Sequence, residues 1–293
     1  MNLLKVLCLL IILIFFLFFG KLDVKENMIS KKVFVLSYEN EIDNEHQKYL
    51  EDKLKHYGYD YKFLGSGEKW KGFGTKIKAY QNFIKNTDLN DDDILVIIDS
   101  RDIYVNRNSN ELVKEFEKIY KKRGGDFDNN FKLLFSSEIA CCTTGINLES
   151  KQRMKEIALK HENMKQIDGS YYLNSGMCIG YIKAYKEIYL RFDIEYSDDD
   201  QTKITNYWLD NYFDKIILDY AQDIFSNAHK WGNQGTLNGC NYKKNKSRNN
   251  QFVIKDTNKC PFFIQTPAKY WICYNYLYDI KDTKDTKDTK DTK

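Results

Sequence analysis

Short apolar runs alternate with amphipathic segments through the first half of this chain, and this alternation limits its fold more than any other feature. Ile94–Ile98 (ILVII) is a continuous apolar run, as a central parallel strand requires when both its faces are covered. Similar runs at 32–38, 61–64 and 132–135 predict further strands, and apolar spacing at 41–56, 76–86 and 109–122 predicts helices. Strands that alternate with helices in this way indicate an α/β fold with a doubly wound sheet.

The N-terminal residues predict a membrane anchor. Residues 6–20 (VLCLLIILIFFLFFG) contain no polar side chain, and with Leu3, Leu4 and a snorkelling Lys5 the run 3–20 approaches the about 20 residues that span a bilayer. A cleaved signal peptide is the alternative, but Phe18 and Phe19 are bulky where cleavage prefers small residues. We therefore expect a single-pass signal anchor with a short stem over residues 1–31. The body of the protein is then expected to be lumenal or extracellular, and to be secreted if the apolar run is cleaved.

The charge distribution separates the body of the protein from its ends. Residues 1–31 carry four Lys against two acidic residues, and the tail from 281 carries five Lys against four Asp, which leaves 36 basic and 36 acidic side chains between them. A neutral body excludes broad binding to nucleic acid, which depends on neutralising phosphates. Residues 32–279 are predicted to form one catalytic domain. Residues 280–293, which repeat Lys-Asp-Thr, are predicted to form a disordered tail.

Six cysteines outside the apolar run allow fifteen complete pairings, which sequence does not resolve. No Cys-x-x-Cys motif is present, so a zinc site of that type has no support. Cys240 and Cys260 flank a polar stretch that contains the glycosylation acceptor Asn245, and they are the expected disulfide. Buried free thiols are the alternative.

Two carboxylates follow the most apolar strand. Asp99-Ser100-Arg101-Asp102 comes directly after residues 94–98, and ligands of open α/β sheets bind outside the carboxyl ends of the strands. Asp99 and Asp102, three residues apart in a turn, can face one hard cation that prefers oxygen ligands. The alternative is a polar turn in which Asp99 caps the next segment.

Other polar groups lie at similar positions. Glu138 follows the run at 132–135, where it is either a site residue or a solvent-facing loop residue. Gly176, in Asn174-Ser175-Gly176, either lets a ligand approach the backbone or serves a turn. Asp199 and Asp200 precede a helical stretch, where acidic residues commonly cap a helix. The four histidines show no metal-type pairing, and Gly-x-Ser-x-Gly, P-loop and Gly-x-Gly-x-x-Gly motifs are absent, so triad hydrolase, P-loop and dinucleotide-binding functions lack their residues.

These motifs together carry a resemblance to the glycosyltransferase domain of procollagen lysyl hydroxylases, from about residue 61 to 277. In order they are Gly67-Glu68-Lys69-Trp70, Ile97-Ile98-Asp99-Ser100-Arg101-Asp102, Phe135-Ser136-Ser137-Glu138, Leu173-Asn174-Ser175-Gly176, Asp198-Asp199-Asp200-Gln201, and Leu218-Asp219 with Ile224-Phe225-Ser226-Asn227. The resemblance implies a GT-A fold, a Rossmann-like mixed sheet flanked by helices.

The resemblance also implies the chemistry. That family transfers glucose or galactose from a UDP-sugar, with Mn²⁺, to hydroxylysine-linked acceptors on collagen. Asp99 and Asp102 would hold the metal, with Mg²⁺ as an alternative ion, and Lys76 would reach the diphosphate. Trp70 would lie beside the nucleotide, and Glu138, Asn174, Asp199 and Asp200 would line the sugar and acceptor side.

The chain departs from the family pattern at three places. Arg101 replaces a Tyr near the nucleotide, the glycine-rich loop after Trp70 is shorter, and Gln265 stands where the third metal ligand is a His. Gln265 could offer its amide oxygen, water could fill the place, or His229 could substitute from elsewhere.

We therefore predict a membrane-anchored, UDP-sugar-dependent hexosyltransferase acting on a hydroxyl of a protein or glycan, with collagen-like protein as the acceptor that the resemblance implies. The alternative from another class is a non-catalytic, membrane-tethered relative that binds glycan or protein and has lost the third metal ligand. A glycoside hydrolase that uses Glu138 and Asp200 is a third reading, which leaves Asp99 and Asp102 unexplained.

Overall fold

A six-stranded mixed sheet organises the computed structural model, which describes residues 31–139, 145–160, 170–211, 214–228, 240–267 and 271–280. The described strands are β1 Val33–Tyr38, β2 Asp60–Leu64, β3 Ile94–Ile98, β4 Ile103–Val105, β5 Leu133–Glu138, β6 Tyr172–Tyr181, β7 Ile216–Leu218, β8 Phe225–Asn227, β9 Tyr242–Asn245, β10 Gln251–Ile254 and β11 Phe263–Gln265. The described helices are α1 Glu45–His56, α2 Gly74–Asn86, α3 Ser109–Lys122, α4 Leu148–Leu159, α5 Ile182–Glu187, α6 Asp200–Asn211 and α7 Trp271–Tyr278.

The order of strands in the large sheet is β2-β1-β3-β6-β5-β7. The pairs β1·β2, β1·β3 and β5·β7 are parallel, and β6 runs antiparallel to both β3 and β5. A second sheet has the order β4-β11-β8, and β9 and β10 form a hairpin. The predicted α/β class with a mixed, parallel-rich sheet is confirmed.

Asparagine side chains set the starts of three helices. Asn44, Asn108 and Asn147 accept backbone N–H groups of the first turns of α1, α3 and α4, which have no partners within the helix. The predicted helix at 41–56 therefore begins four residues later, at Glu45, whereas α3 has the predicted bounds.

Alternate residues of β3 supply two hydrophobic cores, one on each face of the sheet. Leu95 and Ile97 pack in the core that includes Tyr80 of α2, and Ile94, Val96 and Ile98 pack in the core that includes Phe116 of α3. All five are buried, as their continuous apolar run predicts for a covered strand.

Two predicted boundaries change where strands pair. The strand predicted at 132–135 extends to Glu138, with an irregularity in register between Phe135 and Ser136. Asn174, Ser175 and Gly176 form no turn, because β6 is continuous from Tyr172 to Tyr181 and pairs on both sides. Hydrogen bonds to neighbouring strands thus keep these polar residues in β5 and β6, although the apolar pattern of the sequence is interrupted there.

The expected Cys240–Cys260 disulfide is wrong. Cys240 is bonded to Cys273 of α7, with their Cα atoms 5.0 Å apart, and Cys260 is a buried free thiol, as Cys178 is. The packing of α7 near Cys240 decides the pairing, and spacing along the chain carries no information about that packing.

Several predictions fall outside the described residues, namely the apolar run at 3–20, the tail from 281, Cys141, Cys142 and His229. Within the described ranges, no helix has the length and apolar content required to cross a membrane.

Candidate active site

Asp99 and Asp102 lie at the carboxyl end of β3, where the sequence predicts them. The Asp99 backbone N–H donates to the carbonyl of Gly176 at 2.8 Å, which fixes the start of the turn against β6. Asp102 directly precedes β4, and its carbonyl accepts the Thr266 N–H at 2.7 Å. Both aspartates are therefore held by backbone contacts to strands that are distant in sequence.

Gln265 lies beside this aspartate pair. Antiparallel pairing of β11 with β4 places Gln265 opposite Ile103. Its Nε2 donates to Asp99 Oδ2 at 3.3 Å and to Asp102 Oδ2 at 3.2 Å, so the two carboxylates face a common point. The other amide atom, Oε1, is buried and has no hydrogen-bond partner among the described residues. Rotation of the amide would turn that oxygen towards the carboxylates.

Lys76, in the first turn of α2, joins the aspartate pair to α6. Its Nζ lies 2.8 Å from Asp99 Oδ1 and 3.1 Å from Asp200 Oδ2, and only 12% of its side chain is exposed. Burial by itself lowers the pKa of the ammonium, but Asp200 and Asp99 outweigh it and raise the pKa well above its ordinary value. Lys76 is therefore a permanent cation in this cluster.

Because Gly176 has no side chain, Asp99 and Gln265 have room to lie against its backbone. A Cβ at this position would lie 2.6 Å from Asp99 Oδ2 and 2.7 Å from Gln265 Nε2. Any side chain here would displace both polar groups. The missing side chain thus lets Asp99 and Gln265 of the protein itself approach the strand backbone closely, which is neither a turn nor the ligand contact that the sequence context suggests.

A buried polar network supports the cluster from the β5 and β6 side. Glu138 is fully buried and accepts hydrogen bonds from Asn174 Nδ2 at 2.9 Å and Gln201 Nε2 at 2.7 Å. Ser175 Oγ donates to Asp200 Oδ2 at 2.9 Å. Glu138 is therefore no solvent-facing loop residue, and the network fixes Asp200 and Asn174 in place.

Arg101 points towards the end of β1. Its Nε and Nη2 donate to the two carboxylate oxygens of Glu39 at 2.8 and 2.7 Å, and Nη2 lies 3.0 Å from Glu41. The Glu39 side chain is 1% exposed, against 43% for Arg101. Burial raises the pKa of Glu39, but hydrogen bonds from Arg101, Glu41 and Ser100 more than reverse this and hold it below its ordinary value.

Two predicted site residues lie apart from the cluster. Trp70 is 40% exposed and packs against Tyr38 and Phe73, with ring centroids 6.0 and 5.6 Å away. Asp199 is exposed, and its carboxylate accepts the Thr202 N–H at 2.7 Å, as a helix cap does. Ser175, Gln201 and Glu39 also contact predicted site residues, and the sequence pattern did not predict a role for them. The first two belong to motifs that carry the family resemblance, and Glu39 directly follows a predicted strand.

The cluster's charge suits a divalent cation. Asp99, Asp102 and Asp200 carry three negative charges against one on Lys76 when all are ionised. Burial, and then repulsion by Asp99, raise the pKa of Asp102 to about 7. Two carboxylates that face one point, with an amide oxygen available from Gln265, form the oxygen set that Mn²⁺ or Mg²⁺ prefers. The described residues contain no group of three His, Cys, Asp or Glu side chains that could hold a metal.

Sequence comparison defines the class of protein. The profile of the family described as "PLOD GT domain" matches residues 30–288. The chain is 26% identical over 193 residues to a multifunctional procollagen lysine hydroxylase and glycosyltransferase of Caenorhabditis elegans, and 26% identical over 196 residues to human procollagen-lysine,2-oxoglutarate 5-dioxygenase 2. These matches cover 62% and 63% of this chain, but only 24% and 22% of the relatives.

The chain therefore belongs to the PLOD GT domain family, as a glycosyltransferase domain of the collagen glycosyltransferase type. Among solved structures, a glycosyltransferase that glycosylates the major capsid of PBCV-1 matches 84% of this chain and 98% of its own length, with 13% identity and a TM-score of 0.45. The apo bifunctional glycosyltransferase WbbM matches 87% of this chain and 51% of its own, with 10% identity and a TM-score of 0.49. The family assignment rests on the sequence comparisons, because both TM-scores are below 0.5.

Proposed function

We propose that this chain is a metal-dependent glycosyltransferase of the GT-A fold, which transfers glucose or galactose from a UDP-sugar to a hydroxyl acceptor. Membership of the PLOD GT domain family supports the reaction class, and the names of the relatives support a procollagen-type protein as acceptor. The observation that carries the proposal is the convergence of Asp99, Asp102 and Gln265 on one point at the carboxyl end of β3.

The charges of the cluster explain why metal and donor would bind together. A diphosphate is repelled by three carboxylates that Lys76 only partly neutralises. Asp99, Asp102 and the Gln265 amide oxygen would hold a divalent cation, after rotation of the amide. When bound, such a cation stabilises the negative charge of a departing nucleoside diphosphate.

The protein's own groups then have distinct tasks. The Lys76 ammonium has three N–H donors and contacts two carboxylates. It can therefore replace one of these contacts with a hydrogen bond to a diphosphate oxygen and keep the other. Asp200, held by Ser175 and Lys76, is the candidate group on the acceptor side. Glu138 holds Asn174 and Gln201 from behind, and is a positioning residue because its carboxylate is fully buried.

We further propose that residues 3–20 anchor the protein in a membrane, with the body lumenal or extracellular. The support is the apolar run itself and the bulky Phe18 and Phe19 near its end, where cleavage prefers small residues.

The decisive experiment measures binding of Mn²⁺ and UDP by isothermal titration, with turnover of UDP-glucose and UDP-galactose as a second measurement. Asp102→Asn removes a charged ligand, so we expect Mn²⁺ affinity and UDP affinity to fall together by at least tenfold, and turnover to be lost. Gln265→His supplies a stronger ligand and should raise Mn²⁺ affinity. Asp43→Asn removes an exposed carboxylate far along the chain from the site and serves as the matched control.

One observation favours the non-catalytic alternative. The Gln265 amide nitrogen already donates to both aspartates, which satisfies them without a metal. Equal, metal-independent behaviour of the wild type and all three variants, without turnover, would support that alternative and refute the metal-dependent mechanism.

A further inference from the structure

A groove separate from the carboxylate cluster runs along the outer face of α2. It has a volume of about 580 Å³ and lies between α2 and β2, the edge strand of the large sheet. Lys76 and Tyr80 of the same helix point elsewhere, to the carboxylate cluster and to the core. We call this space the α2–β2 groove; Thr75, Lys78, Asn82, Asn86, Lys62 and Tyr196 are among its lining residues.

Polar groups line the groove at helical spacing. Thr75, Lys78, Asn82 and Asn86 are three or four residues apart, which places them on one face of α2. Asn86 Nδ2 donates to Asn82 Oδ1 at 3.0 Å and to the Asn82 carbonyl at 2.8 Å. Within the described part of the chain, Asn82 Nδ2 and Asn86 Oδ1 have no hydrogen-bond partner. Both side chains are exposed, so an amide donor and an amide acceptor lie on one face of α2, and groups of this kind can hydrogen-bond the hydroxyls of a sugar ring.

One wall of the groove is the exposed ring of Tyr196, on a loop that packs against the loop of Gly72. Tyr196 is 41% exposed, and Lys78 Nζ lies 5.1 Å from its ring centroid. A Cβ at Gly72 would lie 2.3 Å from the Tyr196 carbonyl oxygen, so the two loops are in close backbone contact. This contact holds the backbone of Tyr196 in place, which lowers the entropy cost of ordering the loop on binding.

The charge and polarity of the groove's lining limit the class of ligand that it can bind. Lys62 and Lys78 are balanced by Glu68 and Asp88 in the lining, so the groove has no net charge to attract a polyanion. Its polar lining does not suit a lipid chain. Its volume lies in the range of about 300–1,000 Å³ that small-molecule sites have. An uncharged, polyhydroxylated ligand with an apolar ring face matches all these features.

We infer that the α2–β2 groove binds a saccharide, namely a non-reacting sugar unit carried by a glycosylated acceptor. Tyr196 lies four residues before Asp200, on the loop that leads into α6, so the same loop contributes to the groove and to the carboxylate cluster. The acceptor role rests on the proposed function, whereas saccharide binding is measured independently of it.

The test uses saturation-transfer difference NMR of the full-length protein in detergent with lactose and with maltose, beside titration of UDP with Mn²⁺. We expect saccharide signals in the wild type that fall at least fivefold in Tyr196→Ala and in Asn82→Ala, while Asn82→Ala keeps its UDP affinity. Tyr49→Ala removes an equally exposed ring outside the groove, and should change neither measurement.

Three outcomes would overturn the inference. They are the absence of any saccharide signal in the wild type, signals that survive both groove variants, and displacement of the saccharide by UDP with Mn²⁺, which would assign it to the donor site. Binding of an extended peptide instead of either sugar, by pairing with the free edge of β2, would replace it with a different partner. Failure of UDP to bind, with saccharide binding intact, would overturn the proposed function and leave the groove assignment standing.

Discussion

At the scale of single residues, Gly176 shows how closely the site is packed. Its backbone carbonyl holds Asp99, and its missing side chain provides the space for Asp99 and Gln265. Gly176 has no positive φ, so alanine is compatible with the strand backbone. A substitution here therefore tests the geometry of the site without straining the backbone.

We expect Gly176→Ala to weaken Mn²⁺ and UDP binding by at least tenfold, about 1.4 kcal/mol, because its Cβ would displace two ligand groups. Titration calorimetry measures this, and thermal unfolding measures separately the stability lost by overpacking, about 1–3 kcal/mol. Gly124→Ala is the matched control, with open space around it but a φ of +72°. It should lower stability and leave metal binding intact. Unchanged Mn²⁺ affinity in Gly176→Ala would contradict the assignment of Asp99 and Gln265 as ligands.

Glu39 provides a second prediction at this scale, on pH dependence. Its pKa is held below the ordinary value of 4.5, so the pair with Arg101 stabilises the fold above that value and is lost as the pH falls through the folded pKa. Glu39→Gln should cost about 1.5–3 kcal/mol at pH 7, the range for hydrogen bonds to charged groups, and progressively less below pH 4.5. Urea unfolding at several pH values measures the difference. Glu187→Gln breaks an exposed ion pair with Arg191 and should cost at most about 0.5 kcal/mol at any pH. A cost for Glu39→Gln that does not vary with pH would exclude the ion pair as its source.

At the scale of elements, α7 supports the candidate metal site from outside the large sheet. The Tyr278 hydroxyl donates to the Ile103 carbonyl at 2.7 Å, one residue after Asp102, and the Cys240–Cys273 disulfide ties α7 to the chain entering β9. The position of β4, and with it Asp102, therefore depends on an element that follows it by more than 160 residues.

We expect Cys273→Ser to destabilise the protein by about 3–4 kcal/mol, since the disulfide closes a loop with a sequence separation of 33. Mn²⁺ affinity should fall with it, because α7 would hold β4 less firmly. Guanidinium unfolding and calorimetry measure the two effects. Cys240→Ser should match Cys273→Ser, whereas Cys260→Ser should cost much less. If Cys260→Ser instead caused the same loss of stability, the disulfide would join Cys240 to Cys260, and the assignment of Cys273 as the partner would be wrong.

At the scale of the whole molecule, the ends of the chain differ in character from a body whose charges balance. We expect the full-length protein to stay in the membrane pellet after carbonate extraction, because residues 3–20 are apolar apart from Lys5 and carry the bulky Phe18 and Phe19 near their end. Deletion of residues 1–30 should release it, with its UDP affinity unchanged. A shortened soluble product from the full-length gene would show a cleaved signal peptide instead.

The sequence by itself determined the elements whose information is local. The apolar run 94–98 predicted β3, and the spacing of apolar residues at 109–122 predicted α3. Burial of a strand or of one helix face produces a local pattern of apolar residues that can be recognised in the sequence. The aspartates of the candidate site were predictable for the same reason, since they follow β3 directly.

Only the tertiary structure decided which distant groups meet. Gln265 reaches Asp102 across 163 residues through the pairing of β11 with β4, and Arg101 finds Glu39 across 62 residues. Cys273 displaces Cys260 as the disulfide partner because α7 packs beside Cys240. Ser136–Glu138 and Asn174–Gly176 join strands through hydrogen bonds to neighbours. Contacts of this kind depend on the global arrangement of sheets and leave no period along the chain, so local patterns cannot specify them.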